Sequence, residues 1–199
     1  MALIDLIRHG ATESAGLLLG RTDAAISDDG MRQVAQQVQG RSWDLIVASP
    51  LARARVPAER IAQERDLALS IDPDWAELDF GDWDGRPVTE LSADPEIAQA
   101  MDGLYRAPAE WTTPNGENWL SLQERIKRAL SRLAQHDTET RALVITHAGP
   151  IRSAVAIACD IPFEKLWALR VSFATRLTLR IGTQQGGRLW GEIVEVVQP

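Results

Sequence analysis

Cysteine is almost missing from this chain: Cys159 is the only one in 199 residues, so no intrachain disulfide can brace the fold. There is also no excess of positive charge. With 21 Lys and Arg against 28 Asp and Glu the formal net charge is −7 and the pI is near 5.0. Most of the surface therefore cannot offset phosphate repulsion, which excludes a general affinity for nucleic acid or for an acidic membrane. Any phosphate group must be met by a local cluster of arginines. Long hydrophobic runs are lacking too. The most apolar stretch, Ala142 to Ile161, is broken by His147, Gly149, Pro150 and Arg152 and is unsuited to a bilayer. The amino terminus enters a strand-like run at once, with no basic segment, apolar core and cleavage site of a secretory leader, so a cytoplasmic location is expected. No internal repeat, low-complexity tract or linker interrupts a composition that is 45% hydrophobic and 25% charged, and one globular domain over residues 1–199 is expected.

What is present is a regular alternation. Apolar runs of strand length are followed by amphipathic segments of helix length, the pattern of an α/β fold: a three-layer α/β/α sandwich with a mostly parallel central sheet. Strands are expected at Leu3–Ile7, Leu45–Ala48, Leu67–Ile71 and Ala142–Thr146. A closing hairpin of Ser172–Ile181 and Leu189–Val197 should turn around Gln184-Gln185-Gly186-Gly187. Ser27 can cap a helix running to about Gln39, with Gly40 as its stop. A second helix is expected to begin near Arg53, because Pro57 is costly beyond a first turn. Trp75 to Gly85 reads as an irregular, tryptophan-rich loop. Between Pro87 and Pro114 short helical pieces with several prolines suggest an inserted cap, about 87–115, lying over the site as a lid. From Gly116 to His136, Trp119, Leu122, Ile126, Ala129, Leu130 and Leu133 recur at spacings of three and four. Glu124, Arg125, Lys127, Arg128 and Arg132 are then expected on a solvated opposite face. A further helix should run from the end of the fourth strand to about Cys159.

Two of only three histidines end strand-like runs and are followed by glycine, in Arg8-His9-Gly10 and His147-Ala148-Gly149. In open α/β sheets ligands sit outside the carboxyl ends of the strands. Those ends here supply Arg8 and His9, Ser49 with Arg53 just beyond, and His147. A phosphoryl group held there needs cations for its nonbridging oxygens, a nucleophile in line with the leaving oxygen, and an acid to protonate that oxygen. Arg8, Arg53 and His147 suit the first role and His9 the second. Glu77, Asp79, Asp82 and Asp84 are open candidates for the third, since phosphate charge and aromatic surroundings favour the protonated form of a nearby carboxyl.

Four blocks carry a resemblance: Leu6-Ile7-Arg8-His9-Gly10-Ala11-Thr12, Ala48-Ser49-Pro50-Leu51-Ala52-Arg53-Ala54, the Glu77 loop ending Gly81-Asp82-Trp83-Asp84-Gly85, and Ile145-Thr146-His147-Ala148-Gly149. In this order, and spanning most of the chain, they resemble the histidine phosphatase superfamily, also called the phosphoglycerate mutase-like family. The resemblance implies that His9 is phosphorylated during turnover, that Arg8, Arg53 and His147 bind the phosphoryl group, and that Glu77 is the proton donor. It implies no cofactor and no metal. Thr12, Ser14 and Arg21 are possible secondary contacts. Within the superfamily, Gly20-Arg21-Thr22-Asp23, Ile26-Ser27-Asp28-Asp29-Gly30, the Glu77-to-Gly85 block and Pro114-Asn115-Gly116-Glu117 are similar to the α-ribazole phosphatases, which remove the 5'-phosphate of α-ribazole phosphate in cobalamin biosynthesis. The chain departs from the family pattern at Ala15, where many members have asparagine, and at Ala148, Val56-Pro57 and Asn118. None of these removes a catalytic group.

Simpler readings compete with each assignment. A histidine at a strand end is commonly a hydrogen-bonded structural residue, and Arg53 on spacing alone is a surface ion pair. Asp79, Asp82 and Asp84 suit Asx turns that order their loop. His136 suits a helix's last turn, where it favours the dipole. Trp75, Trp83, Trp111 and Trp119 suit core and lid packing. Three functions follow from the whole set: a phosphomonoester hydrolase acting on a small phosphorylated metabolite, with α-ribazole 5'-phosphate favoured or else a broader range of sugar and nucleotide phosphates; a phosphoglycerate mutase; and a non-catalytic binding module, against which the complete set of polar strand ends counts. The expected partner is that small metabolite, with no nucleic acid and no membrane, and no extended apolar segment marks an oligomer interface.

Overall fold

The computed structural model describes residues 1–107, 110–136, 139–184 and 186–199. Six strands form one sheet in the order β3-β2-β4-β1-β5-β6. They are β1 (Ala2–Arg8), β2 (Leu45–Ala48), β3 (Leu69–Ile71), β4 (Arg141–Thr146), β5 (Arg176–Thr183) and β6 (Leu189–Val197). The first four run parallel; at one edge β5 pairs antiparallel with β1, and β6 antiparallel with β5. This is the expected α/β sandwich. Of the expected turn between β5 and β6, Gln185 lies outside the described residues.

The period of two along each central strand explains why helices cover both faces. Ile4 and Leu6 of β1 and Ala142 and Val144 of β4 join a core with α5 (Trp119–Ala134) and α6 (Ala148–Cys159). Ile7 of β1 and Leu143 and Ile145 of β4 join a second core with α1 (Asp28–Gln37) and α2 (Ala52–Arg65). Asp5 interrupts the β1 run and is buried, but Arg41, Trp43 and Thr178 all donate to its carboxylate, at 2.6–2.9 Å. A fully hydrogen-bonded buried carboxylate is tolerated where an unpaired one is not.

Most boundaries lie close to those expected, and the exceptions have local causes. Ser27 caps α1 by accepting the Gly30 N–H and also donates to the Ala11 carbonyl, which ties the helix start to the loop after His9. Helix α2 begins at Ala52, one residue from the expected start, but Pro57 stands in its second turn, beyond the first turn in which it was expected to be tolerated. The helix continues through it because Pro57, Ala58 and Ile61 are buried, and packing offsets the one missing backbone hydrogen bond. Strand β3 is shorter than expected, since the Leu67 N–H is held by the Ala62 carbonyl at the end of α2. His136 lies past the end of α5, not in its last turn. The largest correction concerns Arg125. Placed by pattern on a solvated face, it is 6% exposed and entirely engaged, because its position three after Leu122 and four before Ala129 puts it on the buried stripe.

Two short helices, α3 (Val88–Ala93) and α4 (Pro95–Arg106), follow the acidic loop, with Leu91 and Leu104 buried in the core. The chain before them is laced to the loop after His9: Leu18 N–H donates to Arg86 and Val88 N–H to Gly16. No helix among the described residues is long and apolar enough to cross a membrane.

Candidate active site

The carboxyl ends of β1, β2 and β4 deliver His9, Ser49 and His147 to one place. The backbone fixes them there. His9 N–H donates to Thr146, the Ser49 N–H to Ile145, and the His9 carbonyl accepts from Ala174. The rings of His9 and His147 meet edge to face with centroids 5.1 Å apart. Arg8, His9, Thr12, Ser14, Ala15, Glu77, Phe80 and Phe173 line a cavity of about 310 Å³. Arg53 and His147 are fully buried and stand outside that wall. A larger concavity of about 460 Å³ between α1 and α2 contains none of the expected site residues.

His9 has a defined tautomer. Its Nδ1 lies 2.7 Å from the Gly10 carbonyl oxygen, which can only accept, so Nδ1 carries the hydrogen and the Nε2 lone pair is left free. Burial lowers the pKa of His9 well below its ordinary value, and Arg8 and Arg53 lower it further. The ring is therefore neutral at pH 7, with its lone pair on Nε2. His147 is set from the other direction. The Ser49 hydroxyl oxygen accepts from the Leu51 N–H at 3.3 Å and stands 2.7 Å from His147 Nε2. With the hydroxyl donating to Nε2, Nδ1 bears the hydrogen, and that buried atom has no hydrogen-bond partner among the described residues. Burial, Arg53, His9 and Arg8 also lower the His147 pKa well below its ordinary value.

The arginines are held from behind. Arg8 donates to the Val171 carbonyl at 2.8 Å and stacks over Phe173, 4.2 Å from the ring centroid. Burial brings its pKa down to about 10, so the guanidinium remains charged at pH 7. Arg53 donates to the carbonyls of Thr22, Leu19 and Gly20 at 2.8, 3.2 and 2.7 Å. The N–H groups of Gly20, Arg21 and Thr22 in the same loop are gathered by the Asp84 carboxylate. The loop 19–22 is thus gripped by a cation on its carbonyls and an anion on its amides. The Nε atoms of Arg8 and Arg53 are buried without a partner among the described residues. Together with His147 Nδ1 they leave three buried nitrogens without a partner around the carboxyl ends of β1, β2 and β4, the condition an anion would relieve.

Among the four carboxylates left open by the sequence, only Glu77 lines the cavity. It accepts from the Gly149 N–H at the start of α6, at 3.2 Å to Oε1, and from its own neighbour Leu78 at 2.9 Å. The absence of a Cβ at Gly149 lets the carboxylate sit this close, since a Cβ at that position would come within 2.3 Å of Glu77 Oε1. Asp79 makes the expected Asx turn by accepting from Gly81, whereas Asp82 and Asp84 bind distant segments instead, accepting from the Asn115 amide and from the loop just described. Thr12 and Ser14 stand in the cavity wall, whereas the Arg21 side chain is partly exposed, 3.9 Å from Glu117. Ala15 lies in the same wall. Trp75, Trp83 and Trp119 are buried core residues, as expected.

Several residues of this environment escaped the sequence reading. Phe173 lines the cavity while 37% exposed, and carries no signal beyond being an aromatic in a loop. Arg152 on α6 stacks over Trp167, 4.7 Å from the ring centroid, and donates to the Leu169 carbonyl. It makes the same pair of contacts, an aromatic ring and a backbone carbonyl, that Arg8 makes with Phe173 and Val171, and it acts electrostatically on both Arg8 and Glu77. Its place at the start of an apolar helix, three residues after Gly149, was the available clue. Among the described residues no group of three or more His, Cys, Asp or Glu side chains could hold a metal ion.

A buried, neutral histidine at the end of β1 thus stands with part-buried Arg8, buried Arg53 and a second buried histidine at the carboxyl ends of a mixed α/β sheet, an arrangement suited to holding an anion. The chain belongs to the histidine phosphatase superfamily (branch 1), whose model matches residues 4–190. It is 30% identical over 174 residues to the adenosylcobalamin/alpha-ribazole phosphatase of Escherichia coli strain K12, covering 83% of each chain. The crystal structure of a putative alpha-ribazole-5'-P phosphatase from Escherichia coli superposes with a TM-score of 0.82 at 26% identity, over 99% of this chain and 96% of that one. A mycobacterial glucosyl-3-phosphoglycerate phosphatase shares the fold, with a TM-score of 0.83 at 22% identity over 96% of each chain.

Proposed function

We propose that this protein is a metal-independent phosphomonoesterase that works through a phosphohistidine on His9. The observation that carries this reading is the His9 ring itself: buried, neutral, with Nδ1 committed to Gly10 and Nε2 free beside Arg8 and Glu77 in one cavity. In the first step Nε2 of His9 bonds to phosphorus as the ester P–O bond breaks, and Glu77 gives its proton to the departing oxygen. The positive charge that develops on the ring is stabilised by the Gly10 carbonyl at Nδ1. Arg8, Arg53 and His147 donate to the nonbridging oxygens, so the charge spread over them in transfer is met by side chains. In the second step the Glu77 carboxylate takes a proton from water as its oxygen attacks phosphorus and the N–P bond breaks. Phosphate leaves and His9 is neutral again. Residues about 87–115 form a cap over this site within one domain.

The favoured substrate is α-ribazole 5'-phosphate, supported by the 30% identity to the Escherichia coli enzyme of that name and by the Gly20-to-Asp23 and Glu77-to-Gly85 blocks. The deciding experiment measures phosphate release from a panel of phosphomonoesters in the presence of chelator. The panel holds α-ribazole 5'-phosphate, sugar phosphates, nucleotides and 3-phosphoglycerate, with isomerisation of the last followed in parallel. Release highest on α-ribazole 5'-phosphate supports the full reading. Isomerisation faster than release makes the protein a mutase, and no release from any substrate sinks the hydrolase reading.

A further inference from the structure

The Glu77 loop is held by one side chain to an unusual degree. Arg125 on α5 has five N–H donors and spends all five. Nε and one Nη2 hydrogen fork onto the Glu117 carboxylate at 2.7 and 2.8 Å. Nη1 donates to the carbonyls of Asp74 and Ala76 at 2.7 and 2.6 Å, and the second Nη2 hydrogen to the carbonyl of Glu77 itself at 3.0 Å. Three of the five therefore end on backbone oxygens at or just before the residue assigned as proton donor. The other two end on a carboxylate that closes the clamp from beyond it. Glu117 also accepts from the Asp79 N–H at 3.4 Å, and its own N–H donates to the Asp79 carbonyl at 2.9 Å. Thr113 Oγ1 shares its single hydrogen between that same carbonyl at 2.9 Å and the Glu117 carbonyl at 3.2 Å. Arg125 is buried and Glu117 nearly so, with side chains 8% and 14% exposed.

A buried ion pair is poor evidence of stability in itself, because desolvation offsets much of its attraction. What this one supplies is geometry. The planar guanidinium fixes five acceptors in one plane, so the backbone on either side of the Glu77 Cα cannot rotate without breaking charge-assisted bonds. The carboxylate end of Glu77 is fixed separately, by Gly149 N–H. We propose that Arg125, braced by Glu117, is a positioning residue for proton transfer: it holds Glu77 where its carboxyl meets the leaving oxygen. This inference rests on the reading of Glu77 as general acid.

Leaving-group dependence tests it. An alkoxide leaves poorly and needs the proton, whereas p-nitrophenolate leaves well without it. The parameter is kcat/KM, which reports the steps up to P–O cleavage and is blind to hydrolysis of the common phosphoenzyme. In Glu77→Gln, kcat/KM should fall at least ~30-fold further on an alkyl phosphomonoester than on p-nitrophenyl phosphate. Arg125→Gln and Glu117→Gln should show the same bias at ~10-fold, and Arg125→Lys, which keeps the charge but loses the fork, a smaller one. Circular dichroism establishes which variants fold; if Arg125→Gln does not, Arg125→Lys and Glu117→Gln decide. Equal losses on both substrates in the folded Arg125 and Glu117 variants, with the bias present in Glu77→Gln, overturn the positioning role alone. Absence of the bias in Glu77→Gln overturns the general-acid reading, and the inference with it.

Discussion

The Ser49 hydroxyl stands 2.7 Å from Nε2 of His147 and also accepts the Leu51 N–H, so a serine at the end of β2 engages one ring nitrogen of a histidine at the end of β4 and leaves the other, Nδ1, without a hydrogen-bond partner among the described residues. The two residues are far apart in sequence and are brought together because β2 and β4 pair in parallel, with Ala48 opposite Ile145. Without the hydroxyl, Nε2 has nothing to accept from, and the imidazole can present either nitrogen. Ser49→Ala is therefore expected to lower kcat/KM about 10-fold, the cost of about one hydrogen bond to a charged or developing charge. Steady-state kinetics on p-nitrophenyl phosphate check this, and an unchanged kcat/KM would show that the tautomer is set elsewhere.

The nucleophile makes a categorical prediction. His9→Ala should lose more than ~10³-fold in kcat, since no other buried neutral imidazole with a free Nε2 lines the cavity. Rapid acid-free quench of the wild-type protein with ³²P-labelled substrate should trap label that is stable in base and lost in acid, the signature of an N–P bond. Labelled His9→Ala protein would refute the assignment of the attacking atom.

Arg53 and Asp84 act on opposite polar groups of one loop, so a change at Asp84 reaches the proposed phosphate site without touching it. Removing the carboxylate releases the N–H groups of Gly20, Arg21 and Thr22 and loosens the carbonyls that hold Arg53. Asp84→Asn should raise KM ~10-fold while kcat falls less, because ground-state phosphate binding depends on Arg53 as much as transfer does. An equilibrium measurement of inorganic phosphate binding should weaken in parallel. Unchanged phosphate affinity in Asp84→Asn would mean that Arg53 is fixed by α2 alone.

What the sequence made legible follows from where information is local. The ends of β1 and β4 could be read because an apolar run stopping at a histidine and a glycine is a short-range pattern, and a Cβ at Gly10 or Gly149 would meet a neighbour at 2.1 or 2.3 Å. Ser27 as a cap was legible for the same reason. Glu77 could not be separated from its neighbouring aspartates by residue type, because the distinction is that α6 presents an amide to one of them. Arg125 was misjudged because a helical pattern tells which positions face inward but not that a cation there will find five acceptors on another segment. Pro57 was misjudged because the cost of one missing hydrogen bond is visible in sequence and the burial that offsets it is not.

Gly149 links the start of α6 to the Glu77 carboxylate so closely that a methyl group is a test of it. In Gly149→Ala the new Cβ meets Oε1 at 2.3 Å, and the carboxylate, at the end of a flexible side chain, must move rather than the helix. A displacement of about 1 Å is enough to cost on the order of 10²-fold in rate. Fold stability should change little, since φ at Gly149 is helical and alanine is favoured there. Thermal melts within a few degrees of wild type, with kcat on an alkyl phosphate sharply reduced, are expected. A full loss of folding would show instead that the side chain cannot yield.

Two buried imidazoles also bind the fold to pH. His9 and His147 both have pKa values well below that of an unfolded histidine, about 6.5. Between the two values the unfolded chain binds protons that the folded one does not, so unfolding free energy rises with pH in that window. The stabilisation is fully present above about pH 6.5 and is lost progressively as the pH falls below it towards the folded values. Two such groups give a slope of up to about 2.7 kcal/mol per pH unit. Urea unfolding of the phosphate-free protein between pH 5 and 8 should show this fall, and His147→Asn, which cannot titrate, should roughly halve its steepness. Carboxylates that protonate in the same range act on both proteins alike and cancel in the comparison. If the slopes of wild type and His147→Asn coincide, His147 is charged in the folded protein, and its hydrogen bond with Ser49 must then run from the ring to the hydroxyl.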